Sequence, residues 1–111
     1  MKVAYHPAAR QELAALPRGE RLALLHAVEK LQALGEQLPF PHCSAVKQSR
    51  LWELRPRGGR SPWRALYSRL SERMVIWAVG PDAKKDAVGF RRAVGLAEQR
   101  AAESERAQRG E

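Results

Sequence analysis

The stretch Arg50–Gly80, RLWELRPRGGRSPWRALYSRLSERMVIWAVG, constrains the fold more than any other part of the chain. It holds three runs rich in residues that suit a pleated, half-buried surface: Leu51–Arg57, Trp63–Arg69 and Met74–Val79. Turn residues separate them, Gly58–Gly59 at the first break and Ser71–Glu72 at the second. Short polar breaks of this kind join neighbouring antiparallel strands, so the stretch reads as a three-strand meander. In the first strand Trp52 and Leu54 point one way while Glu53, Arg55 and Arg57 point the other. In the second, Trp63, Ala65 and Tyr67 alternate with Arg64, Leu66 and Ser68, as expected of a sheet covered on one face. Met74–Val79 is apolar throughout and is expected to be the most buried strand.

The other elements must cover that sheet. Lys2–Tyr5 reads as a short first strand, and Pro7 suits a first helical position, where its missing N–H costs nothing. Ala8–Leu16 and Arg21–Leu38 read as two helices broken by Pro17-Arg18-Gly19, with Leu24, Leu25, Val28, Leu31, Leu34 and Leu38 as the longer helix's apolar stripe. Pro39–Ser49 is a connector without periodicity, in which Phe40 is expected to plug the edge of the core. A last helix from about Lys84 or Asp86 to about Ala107 presents Ala87, Phe90, Val94, Ala97 and Ala101 on one face. The order β-α-α-β-β-β-α segregates helices from strands and predicts an α+β fold: an N-terminal helical hairpin on a small antiparallel sheet, with a C-terminal helix. Residues 1–102 form one domain, and 103–111 a polar tail expected to fray.

Charge then narrows the function. The net charge of the 111 residues is +8, and Arg50–Gly80 alone carries seven basic residues against two acids. Such an excess suits nucleic acid, an anionic membrane or an acidic protein. A membrane-surface protein more often carries it on an amphipathic helix, and here it sits on strands. The longest apolar run, Met74–Val79, is far short of the roughly 20 residues that cross a bilayer, and nothing at the N-terminus resembles a signal peptide. The single Cys43 fits a reducing cytoplasm.

The motifs are equally informative by what they lack. His6, His26 and His42 are scattered, and His42-Cys43 alone makes a poor metal site, so no metal and no cofactor is expected. Cys43 has no evident His and Asp partners for nucleophilic work. Gly58–Gly59 is a turn, with no following GK[ST] to make a phosphate loop. Trp52 and Trp77 are expected in the core, and Trp63, at a strand start, nearer the surface.

Three segments together resemble the bacterial toxins of the RelE/HigB and ParE superfamily, in particular its phage-type HigB-like branch. Leu51-Trp52-Glu53-Leu54-Arg55 resembles the family's hydrophobic-x-E-L-R strand, and Trp63-Arg64-Ala65-Leu66-Tyr67 its aromatic-R-hydrophobic-hydrophobic-Y strand. The third is Val75–Val79 followed by Lys84-Lys85. The resemblance implies the toxin of a type II toxin–antitoxin system: an mRNA endoribonuclease that acts on the ribosome without a metal. It also implies silencing by a cognate antitoxin, expected to be a helix-turn-helix protein. A ParE-like inhibitor of DNA gyrase, which cleaves nothing, and an inert binding module of the same fold remain open beside it.

Metal-free RNA cleavage needs a 2′-hydroxyl aligned on the scissile phosphate, a base for its proton, and cations for the transition state. Under the resemblance Arg55 and Arg64 take the catalytic cationic role, converging on one phosphate from adjacent strands, because a guanidinium grips phosphate bidentately. Tyr67 becomes the candidate acid or base, and Lys47, Arg57, Lys84 and Lys85 the RNA-binding shell. After Lys85 the chain has neither the Tyr nor the His that many RelE-like nucleases carry near the C-terminus. Without the resemblance, the arginines read equally well as solvated charges on a sheet face.

Overall fold

The structure, a computed structural model, describes residues 1–110. The chain opens with β1 (Lys2–Tyr5) and enters α1 (Pro7–Ala14) at Pro7, as the sequence requires. His6 caps this helix: its Nδ1 accepts from the Ala8 N–H at 3.1 Å. After Pro17, α2 spans Arg18–Leu34 and buries Leu24, Ala27, Val28 and Leu31. Two members of the expected stripe fall outside it: Leu25 and Leu34 are exposed. Ala27 takes the inward position beside Val28, so the stripe is narrower than the leucines alone suggest.

The meander forms, with altered bounds. After β3 (Trp52–Leu54) the chain leaves the sheet for a kinked 3₁₀ turn at Pro56–Gly59 rather than continuing to Arg57. The two strands that follow, β4 (Trp63–Leu70) and β5 (Arg73–Pro81), are longer than their apolar runs. The connector contributes a strand that its lack of periodicity hid, β2 (Cys43–Ala45), paired antiparallel with β3. The five-stranded sheet has the order β1-β5-β4-β3-β2. It is mixed, because β1 runs parallel to β5 while every other pair is antiparallel.

Both faces are covered, where the alternation suggested one. Leu54, Ala65, Tyr67, Met74 and Ile76 pack with α1 and α2. Leu51, Leu66, Val75, Trp77 and Ala78 pack against Ala93, Ala97 and Ala101 of α3 (Ala87–Gln108). A bulge opposite Leu66 and Tyr67 lets Trp77 and Ala78 both face α3. The helix then approaches closely over Gly80, where a Cβ would lie 2.6 Å from that of Ala93. Only a glycine fits there. The α3 face is set by small residues, so Ala93 enters it and the expected Ala87 stays exposed. The polar tail expected to fray is helical to Gln108.

Two more expectations are corrected. Phe40 is 70% exposed and does not plug the core, and Trp52, at 44%, is a surface residue. Trp52 pairs with Ala45 of the edge strand β2 and lines a cavity with Tyr67 and Arg69. By contrast Trp77 is buried, and Trp63 is half-buried against the α1–α2 core.

One cross-sheet link was not evident from the chain. Beyond Tyr5, β1 no longer covers the edge of β5, and backbone groups left bare there require partners. Glu12 accepts from the Val79 N–H at 3.0 Å, and Arg100 donates to the Trp77 carbonyl at 2.8 Å. Arg100 also pairs with Glu12 at 3.0 Å, tying α1 to α3 around the strand.

Candidate nucleic-acid interface

Arg55 and Arg64 do converge, and the anion between them belongs to the chain itself. Glu53 Oε1 accepts from Arg55 Nη1 at 3.3 Å and from Arg64 Nε at 3.2 Å. Local geometry explains why: Glu53 and Arg55 are two residues apart on an extended segment, so they share a side, and Glu53 pairs with Leu66 on β4. The "E-L-R" pattern thus carries its own counter-ion.

Arg64 is 4% exposed, and the solvated reading is corrected by that burial. A buried guanidinium requires a partner for each donor. Nη1 donates to the Ser61 carbonyl at 2.7 Å and the Trp63 carbonyl at 2.9 Å. Nη2 reaches the Gly59 carbonyl at 3.3 Å and Asp82 Oδ2 at 3.5 Å. With Nε on Glu53, no N–H remains for a phosphate. Arg64 is a clamp that joins the 3₁₀ turn, β3 and the segment after β5.

Arg55 is held more openly. Its side chain is 22% exposed, Nε donates to the Pro41 carbonyl at 3.0 Å, and the guanidinium lies 5.2 Å from the centroid of the Phe40 ring. Gly59, at φ +97°, allows it to settle against the turn, since a Cβ there would lie 2.5 Å from Arg55 Nη2. That nitrogen has no acceptor among the described residues. Arg57 turns towards α2 instead, donating to Glu20 at 2.8 Å and to the Gly19 carbonyl at 3.3 Å. Glu20 also accepts from Ser61 Oγ at 2.9 Å.

The remaining predicted residues separate. Lys84 and Lys85 are exposed in the loop between β5 and α3, without side-chain partners among the described residues, and Asp82 links that loop to the cluster by accepting from the Lys85 N–H at 2.6 Å. Lys47 is exposed beyond β2, next to Val46, which packs on the α3 side. Tyr67 does not join the arginines. It is buried in the α1–α2 core, and its open side belongs to a separate cavity of about 450 Å³ shared with Cys43, Trp52 and Arg69. Burial, with the Cys43 thiol second, pushes its phenol far above the ordinary range. Such a phenol stays protonated at neutral pH and cannot serve as a base there.

Reading the sequence missed the carboxylates Glu20, Glu53 and Asp82, which neutralise the three arginines; the i, i+2 spacing of Glu53 and Arg55 is the signal that could have found the first. It also missed a groove of about 410 Å³ between α2 and the turn, which brings His26 and His42 to the same walls as Arg55 and Arg57. Among the described residues, no three His, Cys, Asp or Glu side chains are grouped to hold a metal ion, and no helix is long and apolar enough to cross a membrane.

Comparison with known proteins supplies the family. Residues 11–102 match the family described as Phage derived protein Gp49-like (DUF891). No curated protein is similar enough to count as a match. Among solved structures, a chain of the toxin–antitoxin complex RelBE2 from Mycobacterium tuberculosis is 24% identical, with a TM-score of 0.47 over 73% of this chain and 96% of that one. The family match covers the end of α1, the whole of α2, strands β2 to β5 and α3 as far as residue 102. The chain belongs to the phage-derived Gp49-like family.

Proposed function

We propose that the chain is a metal-independent mRNA endoribonuclease that acts at the ribosome in the cytoplasm and is neutralised by a cognate helix-turn-helix antitoxin. The observation that carries the reading is Arg55: a guanidinium fixed by Glu53, Pro41 and Phe40, with one nitrogen that has no acceptor among the described residues, on a side chain that lines an open groove. Fixed donors aimed at a developing charge are what phosphate-ester cleavage requires of a protein. In this reading Arg55 touches the scissile phosphate and Arg64 positions it through Glu53. Arg57 lines the groove, while Lys84, Lys85 and Lys47 attract the RNA backbone from outside it. Tyr67 has no part in proton transfer.

The test is to induce the chain alone and map RNA 5′ ends in the same cells, with Arg55→Ala beside it. New ends within translated messages, lost in Arg55→Ala, are expected. A second reading has its own support: the saturation of Arg64 and the burial of Tyr67 leave no ready proton carrier among the residues that the family resemblance names. A ParE-like, gyrase-inhibiting toxin needs none. Arrest of gyrase with no new RNA ends would establish that reading and sink the first.

A further inference from the structure

The groove between α2 and the 3₁₀ turn contains what the arginine cluster lacks. His26 and Lys30 lie four residues apart on α2, on one stripe of its outer surface, with Leu22 one turn before them. His42 and Arg55 stand on the opposite wall. They are neighbours through the backbone as well: the Arg55 N–H donates to the His42 carbonyl at 2.8 Å, directly after the Cys43–Leu54 pair that begins the β2–β3 ladder. Facing residues of adjacent strands hold their Cβ atoms about 5 Å apart, so the imidazole of His42 and the guanidinium of Arg55 start from one place. Neither His26 nor His42 has a side-chain partner among the described residues. His26 is exposed and His42 half-buried, so both are open to a ligand in the groove.

We infer that this groove is the seat of the scissile phosphate of a single-stranded RNA, and that His26 and His42 are its proton-transfer pair. The inference rests on the nuclease reading above and deepens it. Arg55 on one wall and Lys30 on the other hold the phosphate oxygens. One imidazole, neutral, takes the proton of the ribose 2′-hydroxyl. The 2′-oxygen bonds to phosphorus, the bond from phosphorus to the 5′-oxygen breaks, and the other imidazole, protonated, gives its proton to that leaving oxygen. The products are a 2′,3′-cyclic phosphate and a 5′-hydroxyl, with no redox change and no further reactant. The charged groups lining the groove with the pair are Lys30 from α2, Arg55 from the residue after β3, and Arg57 from the turn. Glu53 and Glu20 are already engaged by Arg55 and Arg57 respectively. An unpaired anion is therefore what this groove lacks.

The experiment uses the full chain with an RNA oligonucleotide, alone and as the message of a translating ribosome, comparing wild type with His26→Gln and His42→Gln. Each variant should cut about 10²- to 10⁴-fold more slowly, the usual contribution of a positioned acid or base. Wild type should leave cyclic phosphate and 5′-hydroxyl ends and show a bell-shaped pH profile, and each variant should lose one limb of it. A folding defect would lower the rate at every pH and shift the urea midpoint, which is not expected at these open positions. If wild type cuts and both variants cut within about threefold of it, the histidine assignment is overturned while the nuclease reading stands. If wild type cuts under neither condition, the nuclease reading fails and takes the assignment with it.

Discussion

Arg64 offers the sharpest test of the arginine cluster, because its burial converts a presumed functional residue into a structural one. Replacing it with Ala removes the donors that Arg64 gives to the Ser61, Trp63 and Gly59 carbonyls, and deprives Glu53 and Asp82 of a counter-ion. The carboxylates are themselves only 15% and 16% exposed, so solvent does little to replace the lost partner. Breaking a buried, hydrogen-bonded ion pair from one side costs about 3–5 kcal/mol. A domain of 111 residues unfolds with an entropy of roughly 0.23 kcal/mol/K, so the melting temperature should fall by about 13–21 °C.

Urea denaturation followed by tryptophan fluorescence measures this directly, since Trp63 adjoins the clamp. Arg64→Lys should recover little, because one ammonium cannot span five donor directions. Arg55→Ala should cost only about 1 kcal/mol, since its group is partly exposed and Glu53 keeps Arg64. A loss of under about 1 kcal/mol in Arg64→Ala would refute the clamp, and with it the claim that Arg64 has no donor to spare for RNA. The comparison also decides how activity data are read. Loss of cleavage in Arg64→Ala reports on folding, whereas the same loss in Arg55→Ala, at near-normal stability, reports on the phosphate.

Gly59→Ala places a Cβ at φ +97° and 2.5 Å from Arg55 Nη2, and should destabilise by roughly 1–3 kcal/mol. Part of that cost is the collision, so it should shrink in an Arg55→Ala background; equal penalties in both backgrounds, measured by urea midpoints, would show that the two do not touch. Tyr67 is pushed upward by burial, which favours its neutral form in the folded state. Its contribution is therefore complete below the unfolded phenol value of about 10 and is lost as pH rises above it. Tyr67→Phe should flatten the alkaline limb of the stability curve, leaving the smaller share of Tyr5, and an unchanged limb would contradict this. Replacing Lys84 and Lys85 together with Gln should lower the salt dependence of single-strand binding by up to about 0.7 per lysine in log–log slope, without moving the urea midpoint. No change in slope would place the RNA elsewhere.

Periodicity carried most of the fold. The meander was legible because its strands alternate and its breaks hold turn residues, and α2 because its apolar residues recur every three to four. The parts that escaped are those where pattern and burial part company. β2 is three residues long, too short for alternation to register, yet it is the strand that sets His42 beside Arg55. Arg64 read as exposed because charged residues are seldom buried. Its burial depends on three carbonyls and two carboxylates from separate segments, a coincidence that no local window displays. Phe40 read as core because aromatic residues usually are, whereas its ring faces solvent with the Arg55 guanidinium over it. The cationic face was legible as charge and illegible as chemistry, since Glu20, Glu53 and Asp82 look unremarkable until the fold sets them against their arginines.

That internal neutralisation changes what the positive charge can do. An arginine already paired with a carboxylate adds little to the attraction of a distant polyanion, because its field is largely cancelled beyond a few ångströms. Arg55, Arg57 and Arg64 each have such a partner, whereas Lys30, Lys47, Lys84 and Lys85 have none among the described residues. Under the proposed nuclease reading, recruitment therefore falls to the lysines and orientation to the arginines. The division is physically sensible: a flexible ammonium tolerates any backbone path, and a guanidinium fixed by Glu53 and the Pro41 carbonyl accepts a phosphate in one place only. A phosphate arriving at Arg55 need not displace Glu53, because Nη2 has no acceptor among the described residues and Arg55 lines a groove that Lys30 also lines. Under the same reading, the carboxylate that first looks like an inhibitor of phosphate binding is the group that fixes the guanidinium in place.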